Sequence, residues 1–332
     1  MGVTIHDVAK LAGISKSTVS RALSNSKLIS EETRESVIKA AKLLNYRPNA
    51  IARAMVTKKT GNIGFIIYQK HKPIISQPFY SHILETVVDE TNLIGYNIFI
   101  SSDQDVKVSS GEILMEKKVD GVILASRVDK NIILNFRTQN IPVVLINNIV
   151  EMDDIFCIVN DDFNGAFDAV EYLIGKGHRN IGILCGPFEH VSYSQRYNGY
   201  MSALKKYDIK PDYHVVQFTD STFQHGYDAM EKILTIKKSI PTAVFCTNDM
   251  MAIGAMKAIK QAGLRIPEDI ALIGYDDIEI SSLIEPALSS VWTDKTAIGK
   301  IAVENLVKMI NGELLSERII KQKTKLVIRQ ST

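Results

Sequence analysis

The stretch Thr4-Ile5-His6-Asp7-Val8-Ala9-Lys10-Leu11-Ala12-Gly13-Ile14-Ser15-Lys16-Ser17-Thr18-Val19-Ser20-Arg21 decides how the N-terminal end folds. Thr4 suits a helix N-cap, and the apolar residues Val8, Leu11 and Ala12 recur behind it at helical spacing. Gly13 stops that helix, since the left-handed residue after a last turn favours glycine. Ser15 caps a second helix whose inner side holds Val19, Ala22 and Leu23. A third helix opens at Ser30-Glu31-Glu32-Thr33, with acids in its first turn, and ends before Asn45-Tyr46-Arg47-Pro48. Val37, Ile38, Ala41 and Leu44 line its buried face. Two short helices joined by the tight turn Ala12-Gly13-Ile14-Ser15, with a third packed across them, make a helix-turn-helix.

The second helix then turns Lys16, Ser17, Thr18, Ser20 and Arg21 outward near its N-terminal end, where a recognition helix reaches base edges in the major groove. Lys16 and Arg21 can donate to guanine O6 and N7, and Ser17 suits several bases. Thr4, Thr18, Ser20, Asn25 and Tyr46 are better suited to phosphate oxygens. Charge points the same way. Residues 1–60 carry 11 Lys+Arg and 4 Asp+Glu, a net +7, which leaves −5 for the other 272 residues of a chain whose total is +2. A basic piece on an acidic body fits a polyanionic partner for that piece alone, and equally fits a solvated charged face.

In motif order and spacing, Thr4–Arg21 resembles the signature of the lactose/galactose repressor family of bacterial transcriptional regulators. Asn45-Tyr46-Arg47-Pro48-Asn49-Ala50-Ile51-Ala52-Arg53 resembles that family's entry into its hinge. The resemblance implies a hinge helix that folds on operator DNA and pairs with its dimer mate in the minor groove. Asn49, Ala52 and Met55 would lie there, Met55 standing where the family carries a wedging leucine. Methionine is also an apolar wedge, though a more flexible one. Alone, a segment from Asn49 to Lys58 is too short to be a stable helix in water, which agrees with folding on DNA.

From residue 60 onward, near-continuous apolar strands alternate with helices. The strands read as 63–68, 96–100, 121–124, 143–146, 181–185, 213–217, 242–246 and 270–274. The helices read as 79–93, 129–138, 163–175, 195–207, 223–235, 249–262 and 297–310, with a strand near 324–329. Such alternation means parallel sheets covered on both faces, in two doubly wound series. The predicted class is therefore α/β: a three-helix helix-turn-helix domain at 1–47, a hinge or linker at 48–59 and a core at 60–332. The core should have two lobes, about 60–160 plus 291–318 and about 161–290 plus 319–332.

The core resembles two-lobed periplasmic sugar-binding proteins, which hold a small molecule between lobes at the carboxyl ends of strands. The family resemblance implies that Arg196, Asn248 and Asp276 hold effector hydroxyls and that Asn147 is another cleft position. An arginine fork, an amide and a carboxylate can together donate to and accept from a polyol. Asn248 and Asp276 also suit helix caps or turns, and Arg196 a surface helix. Phe79, Tyr80 and Phe223 fit either a sugar ring or the core, and Trp292 either pocket or core. The long loop Lys70–Tyr80 favours an oligosaccharide, as in maltose-type members, while Lys295 favours an acidic ligand.

The remaining features exclude classes. At 332 residues, 45% hydrophobic and 23% charged, the chain is neither disordered nor a small disulfide scaffold. No apolar run suits a membrane helix, and Met1–Asp7 lacks the order of a signal peptide, so a cytoplasmic protein is expected. Cys157, Cys185 and Cys246 each follow an apolar run, have no metal-ligand spacing and read as buried thiols. No phosphate loop, nucleophile elbow or zinc motif is present, so no catalytic residues, metal or cofactor are expected. The expected function is a homodimeric, operator-binding repressor of carbohydrate genes controlled by a small sugar-like effector.

Overall fold

The computed structural model describes residues 3–23, 28–46, 59–68, 77–103, 119–236 and 240–332. The readings made for Asn25, Asn49, Ala52 and Met55, for the hinge up to 58 and for residues 70–76 of the long loop lie outside these residues. Two compact units divide the chain, 1–61 and 62–332.

In the first unit, α1 (Ile5–Ala12), α2 (Lys16–Leu23) and α3 (Glu31–Leu43) enclose Val8, Ala9, Val19, Ala22, Val37, Ala40 and Ala41. Asp7 reaches back to the N-cap, its Oδ2 accepting from both the backbone N–H and the hydroxyl of Thr4 at 2.8 Å. These hydrogen bonds hold the Asp7 carboxyl below the usual carboxylate range. Gly13 is left-handed at φ 68°, which lets the Ile14 N–H turn back onto the Ala9 carbonyl at 3.1 Å. Ser15 caps α2, its Oγ accepting from the Thr18 N–H at 3.1 Å. Two expected core residues lie outside: Leu11 and Ile38 are exposed. Ile5, Val8, Ala9 and Ala12 already complete one helical stripe, so Leu11 falls beside it.

The second unit has two lobes. The first lobe's sheet contains β1 (Asn62–Tyr68), β2 (Asn97–Asp103), β3 (Gly121–Ala125), β4 (Val143–Ile146), β5 (Phe156–Asn160) and β11 (Ile319–Gln322), in the order β11-β5-β4-β3-β1-β2. The second lobe's sheet contains β6 (Ile181–Cys185), β7 (Val216–Phe218), β8 (Ala243–Cys246), β9 (Ala271–Asp276), β10 (Ser289–Thr293) and β12 (Thr324–Val327), in the order β12-β10-β9-β8-β6-β7. Pairing is parallel throughout except for β12 against β10. Every residue of β3, β4, β6, β8 and β9 is buried, as sheets covered on both faces require. The covering helices include α4 (Pro78–Leu93), α5 (Lys130–Thr138), α6 (Asp162–Gly175), α7 (Val191–Lys206), α8 (Phe223–Thr235), α9 (Asp249–Gln261), the short α10 (Ile280–Leu283) and α11 (Lys295–Ile310).

The lobe boundaries differ from those expected. Residues 291–293 belong to the second lobe, where Val291 pairs with Tyr275, and 319–322 to the first, where Ile320 pairs with Ile158. Among the described strands the chain therefore crosses between lobes three times: after β5, after β10 and between β11 and β12. Lys295 stands at the second crossing. Its Nζ donates to the carbonyls of Asp276 at 2.5 Å, Thr293 at 3.2 Å and Asp277 at 3.3 Å. All three ammonium protons are thus used on backbone, so Lys295 clamps the crossing and does not face a ligand.

Candidate functional site

Both sheets change direction at an inner strand: β1 lies between β2 and β3, and β6 between β7 and β8. Crevices form beyond the carboxyl ends of strands at such points. A cleft of about 770 Å³ lies there, within the ordinary range for a small-molecule site. The first lobe supplies Ser126 and Arg127 after β3, Asn147 after β4 and Gln77–Tyr80 at the start of α4. The second supplies Pro187–His190 after β6, Phe218 at the end of β7 and Thr219–Phe223 after it, Asp276 at the end of β9, and Ser192, Tyr193 and Arg196 from α7.

Arg196 is the charged centre of this cleft and is only 2% exposed. Its Nε donates to Asp162 Oδ1 at 2.8 Å and one terminal nitrogen to the Thr247 carbonyl at 2.5 Å. The other lies 3.3 Å from Asp276 Oδ1, and the guanidinium carbon sits 3.6 Å from the Tyr275 ring centroid. Burial pushes both carboxyls up, Asp276 to about 6, and Arg196 opposes the rise in each. Arg196 is therefore an internal keystone whose edge faces the cleft, with Asp276 beside it at φ 100°.

The expected residues fall into two groups. Phe79, Asn147, Arg196, Phe223 and Asp276 all line the cleft. Asn248 is a correction. Its Oδ1 caps α9 by accepting from the Met251 N–H at 2.7 Å. Its Nδ2 donates to the Ser221 carbonyl at 3.0 Å and reaches the Tyr193 hydroxyl at 3.4 Å. The amide is used in shaping the wall and does not line the cleft. Sequence reasoning missed His190, which caps α7 through Nδ1 and approaches Ser126 Oγ through Nε2 at 3.4 Å. Burial, then Arg196 and Arg127, pull its pKa down to about 4. Ser192, buried at the start of α7, also borders the cleft, its hydroxyl beside the Asp162 carboxyl.

In the first unit, Thr4, Lys16, Ser17 and Arg21 are exposed, and Thr18 and Ser20 are half-buried. The Ser17 and Thr18 hydroxyls each lie 2.8 Å from Ser15 Oγ, so both are held against the helix start. Tyr46 packs its ring on the small core.

A helix-turn-helix domain followed by a two-lobed core of this topology defines a class: DNA-binding transcriptional regulators. Residues 4–49 match the bacterial regulatory proteins of the lacI family, and residues 170–332 match the periplasmic binding protein-like domain. The chain is 37% identical over 335 residues to the probable HTH-type transcriptional repressor ExuR of Bacillus subtilis (strain 168), covering 99% of this chain and 98% of that one. The structure of the Lac repressor dimer bound to operator and the anti-inducer ONPF superimposes with a TM-score of 0.86 at 28% identity, covering 100% of this chain and 99% of that one. The complex of the transcriptional regulator CelR with cellobiose gives a TM-score of 0.76 at 28% identity, covering 99% and 100%. The chain belongs to the lacI family of bacterial regulatory proteins. Among the described residues, no helix is long and apolar enough to cross a membrane.

Proposed function

We propose that the protein is a cytoplasmic, homodimeric repressor of carbohydrate genes, that a small sugar binds in the cleft between its lobes, and that it catalyses no reaction. The observation that carries this reading is Arg196. Its guanidinium is fixed by Asp162 and Asp276 while its edge borders a cleft shared with Asn147 and Phe79 of the opposite lobe. Fixed donors and acceptors with aromatic rings beside them suit a polyol. The relatives bound to operator or to cellobiose support the same reading. Two recognition helices are needed because one helix-turn-helix gives too little contact for operator specificity. On this reading, effector binding alters lobe geometry and so biases operator binding. By linkage, operator DNA must change effector affinity by the same factor.

The test is an operator titration with and without sugars, for the natural chain and for Asp276→Asn and Asn147→Ala. A sugar that changes operator affinity in the natural chain, and does so weakly in both variants, is the expected result. An equal response in all three proteins overturns the cleft assignment.

A further inference from the structure

Two aromatic side chains at this cleft are oddly placed for core residues. Phe188 is 47% exposed and Phe218 is 52% exposed, yet both line the cleft. Their rings meet edge to face, centroids 5.6 Å apart at 87°. Tyr197 braces both from behind, 5.6 Å from Phe188 and 5.2 Å from Phe218. Large exposed rings are costly in water, and a braced pair loses little side-chain entropy on binding. This wall lies at the far side of the cleft from Asp276. Phe218 ends β7, Asp276 ends β9, and β6 and β8 lie between them. Three strand spacings separate them, about 14 Å. A six-membered sugar ring is only two or three carbon–carbon bond lengths across. The strand ends that carry Phe218 and Asp276 thus stand several ring widths apart.

We propose, resting on the sugar reading above, that the effector is an oligosaccharide of at least two rings. The inner ring meets Arg196 and Asp276, and an outer ring stacks on the Phe188–Phe218 wall. The wall offers apolar faces to the C–H side of a pyranose. Arg127 lies across the cleft near His190 and offers guanidinium donors to the hydroxyl rim. A monosaccharide fills only the inner half and leaves the wall in water.

The experiment is calorimetric titration of the full chain with matched series: glucose, maltose and maltotriose; glucose, cellobiose and cellotriose; galactose, melibiose and raffinose. The expected result is a disaccharide or trisaccharide that binds at least about tenfold more tightly than its monosaccharide, a gain of the size aromatic contacts give. Phe188→Leu and Phe218→Leu keep apolar bulk and remove the flat face. Each is expected to remove most of that gain and leave monosaccharide affinity within about twofold. Circular dichroism confirms that each variant is folded. Equal affinity for one ring and two overturns the proposal and leaves the sugar reading standing, as does an equal loss for both ligands in the variants. Absence of binding by every saccharide overturns the sugar reading and the proposal together.

Discussion

His190 Nε2 lies 3.4 Å from Ser126 Oγ, and the two residues belong to opposite lobes. The contact joins the start of α7 to the end of β3 across the cleft. Its imidazole is held neutral by burial and by the two arginines near it.

The stability of the core is expected to fall on acidification through His190. Its folded pKa is about 4, against about 6.5 for a free imidazole. Between these values the unfolded chain binds more protons than the folded one, so stability is lost as pH drops from about 6.5 toward about 4. With the ring's partial exposure discounted, the loss is on the order of 1–2 kcal/mol. Melting curves of the natural chain and His190→Gln from neutral to acid pH check it. The variant should lose less stability over the window, and parallel curves would refute the assignment.

Arg196→Ala is expected to act first as a stability mutation. Removing the guanidinium leaves Asp162 and Asp276 buried without their cation, which costs about 3–5 kcal/mol. Adding Asp162→Asn should recover part of that loss, because one stranded charge is removed. Urea denaturation of both single variants and the double variant measures the coupling, and strictly additive losses would show that the pair does not interact.

Gly254 packs against α8 so closely that an added Cβ would lie 2.1 Å from the Phe223 carbonyl oxygen and 2.7 Å from the Tyr227 nitrogen. Gly254→Ala must push the two helices apart, at about 1–3 kcal/mol, and displace Phe223 from the cleft wall. Gly175→Ala, at an exposed helix end with nothing within 4 Å of the new methyl, is the control and should be neutral or slightly stabilising. Equal melting temperatures for both variants would contradict the packing argument.

Arg21→Ala is expected to weaken operator binding by roughly 1–3 kcal/mol and relax preference at one base pair per half-site. Arg21 is exposed on α2, beside the equally exposed Ser17 and Lys16. Titration of operator and scrambled duplexes at matched salt decides it, since a uniform loss on both identifies a phosphate contact instead.

What could be read in the sequence was whatever depends on neighbours in the chain. The apolar run Ile181–Cys185 gave its strand to the residue, and Phe223–Thr235 its helix. The cap of α2 at Ser15 was equally local. Strand β10 went unseen because Ser289, Ser290 and Thr293 interrupt its apolar pattern. Strands β5 and β11 went unseen because no helix separates β5 from β4 and because Lys321 and Gln322 make half of β11 polar. Their pairing partners lie more than 150 residues apart, which is why the lobe boundaries were misplaced. The lining of the cleft was legible, but the partners of its residues were not, for a similar reason. Nothing near Arg196 in sequence names Asp162, 34 residues away, as the partner that buries it. Asn248 and Lys295 suit a ligand by residue type, although Asn248 bonds to Met251, Ser221 and Tyr193 and Lys295 to three backbone carbonyls. A polar residue at a strand end fits both roles until the tertiary contacts are known.

The short step from β11 to β12 also bears on the order in which the protein is made. One strand seals the edge of the first lobe and the other the edge of the second, yet both come late in translation. While the ribosome is still producing residues before 319, β5 and β10 each lack an edge partner. The first lobe therefore cannot close its sheet until β6 to β10 of the second have been made, although most of it is synthesised first. Open sheet edges held that long invite pairing with other chains, so the nascent polypeptide passes through a window in which chaperone binding competes with aggregation. Both halves should then complete in one late, cooperative event.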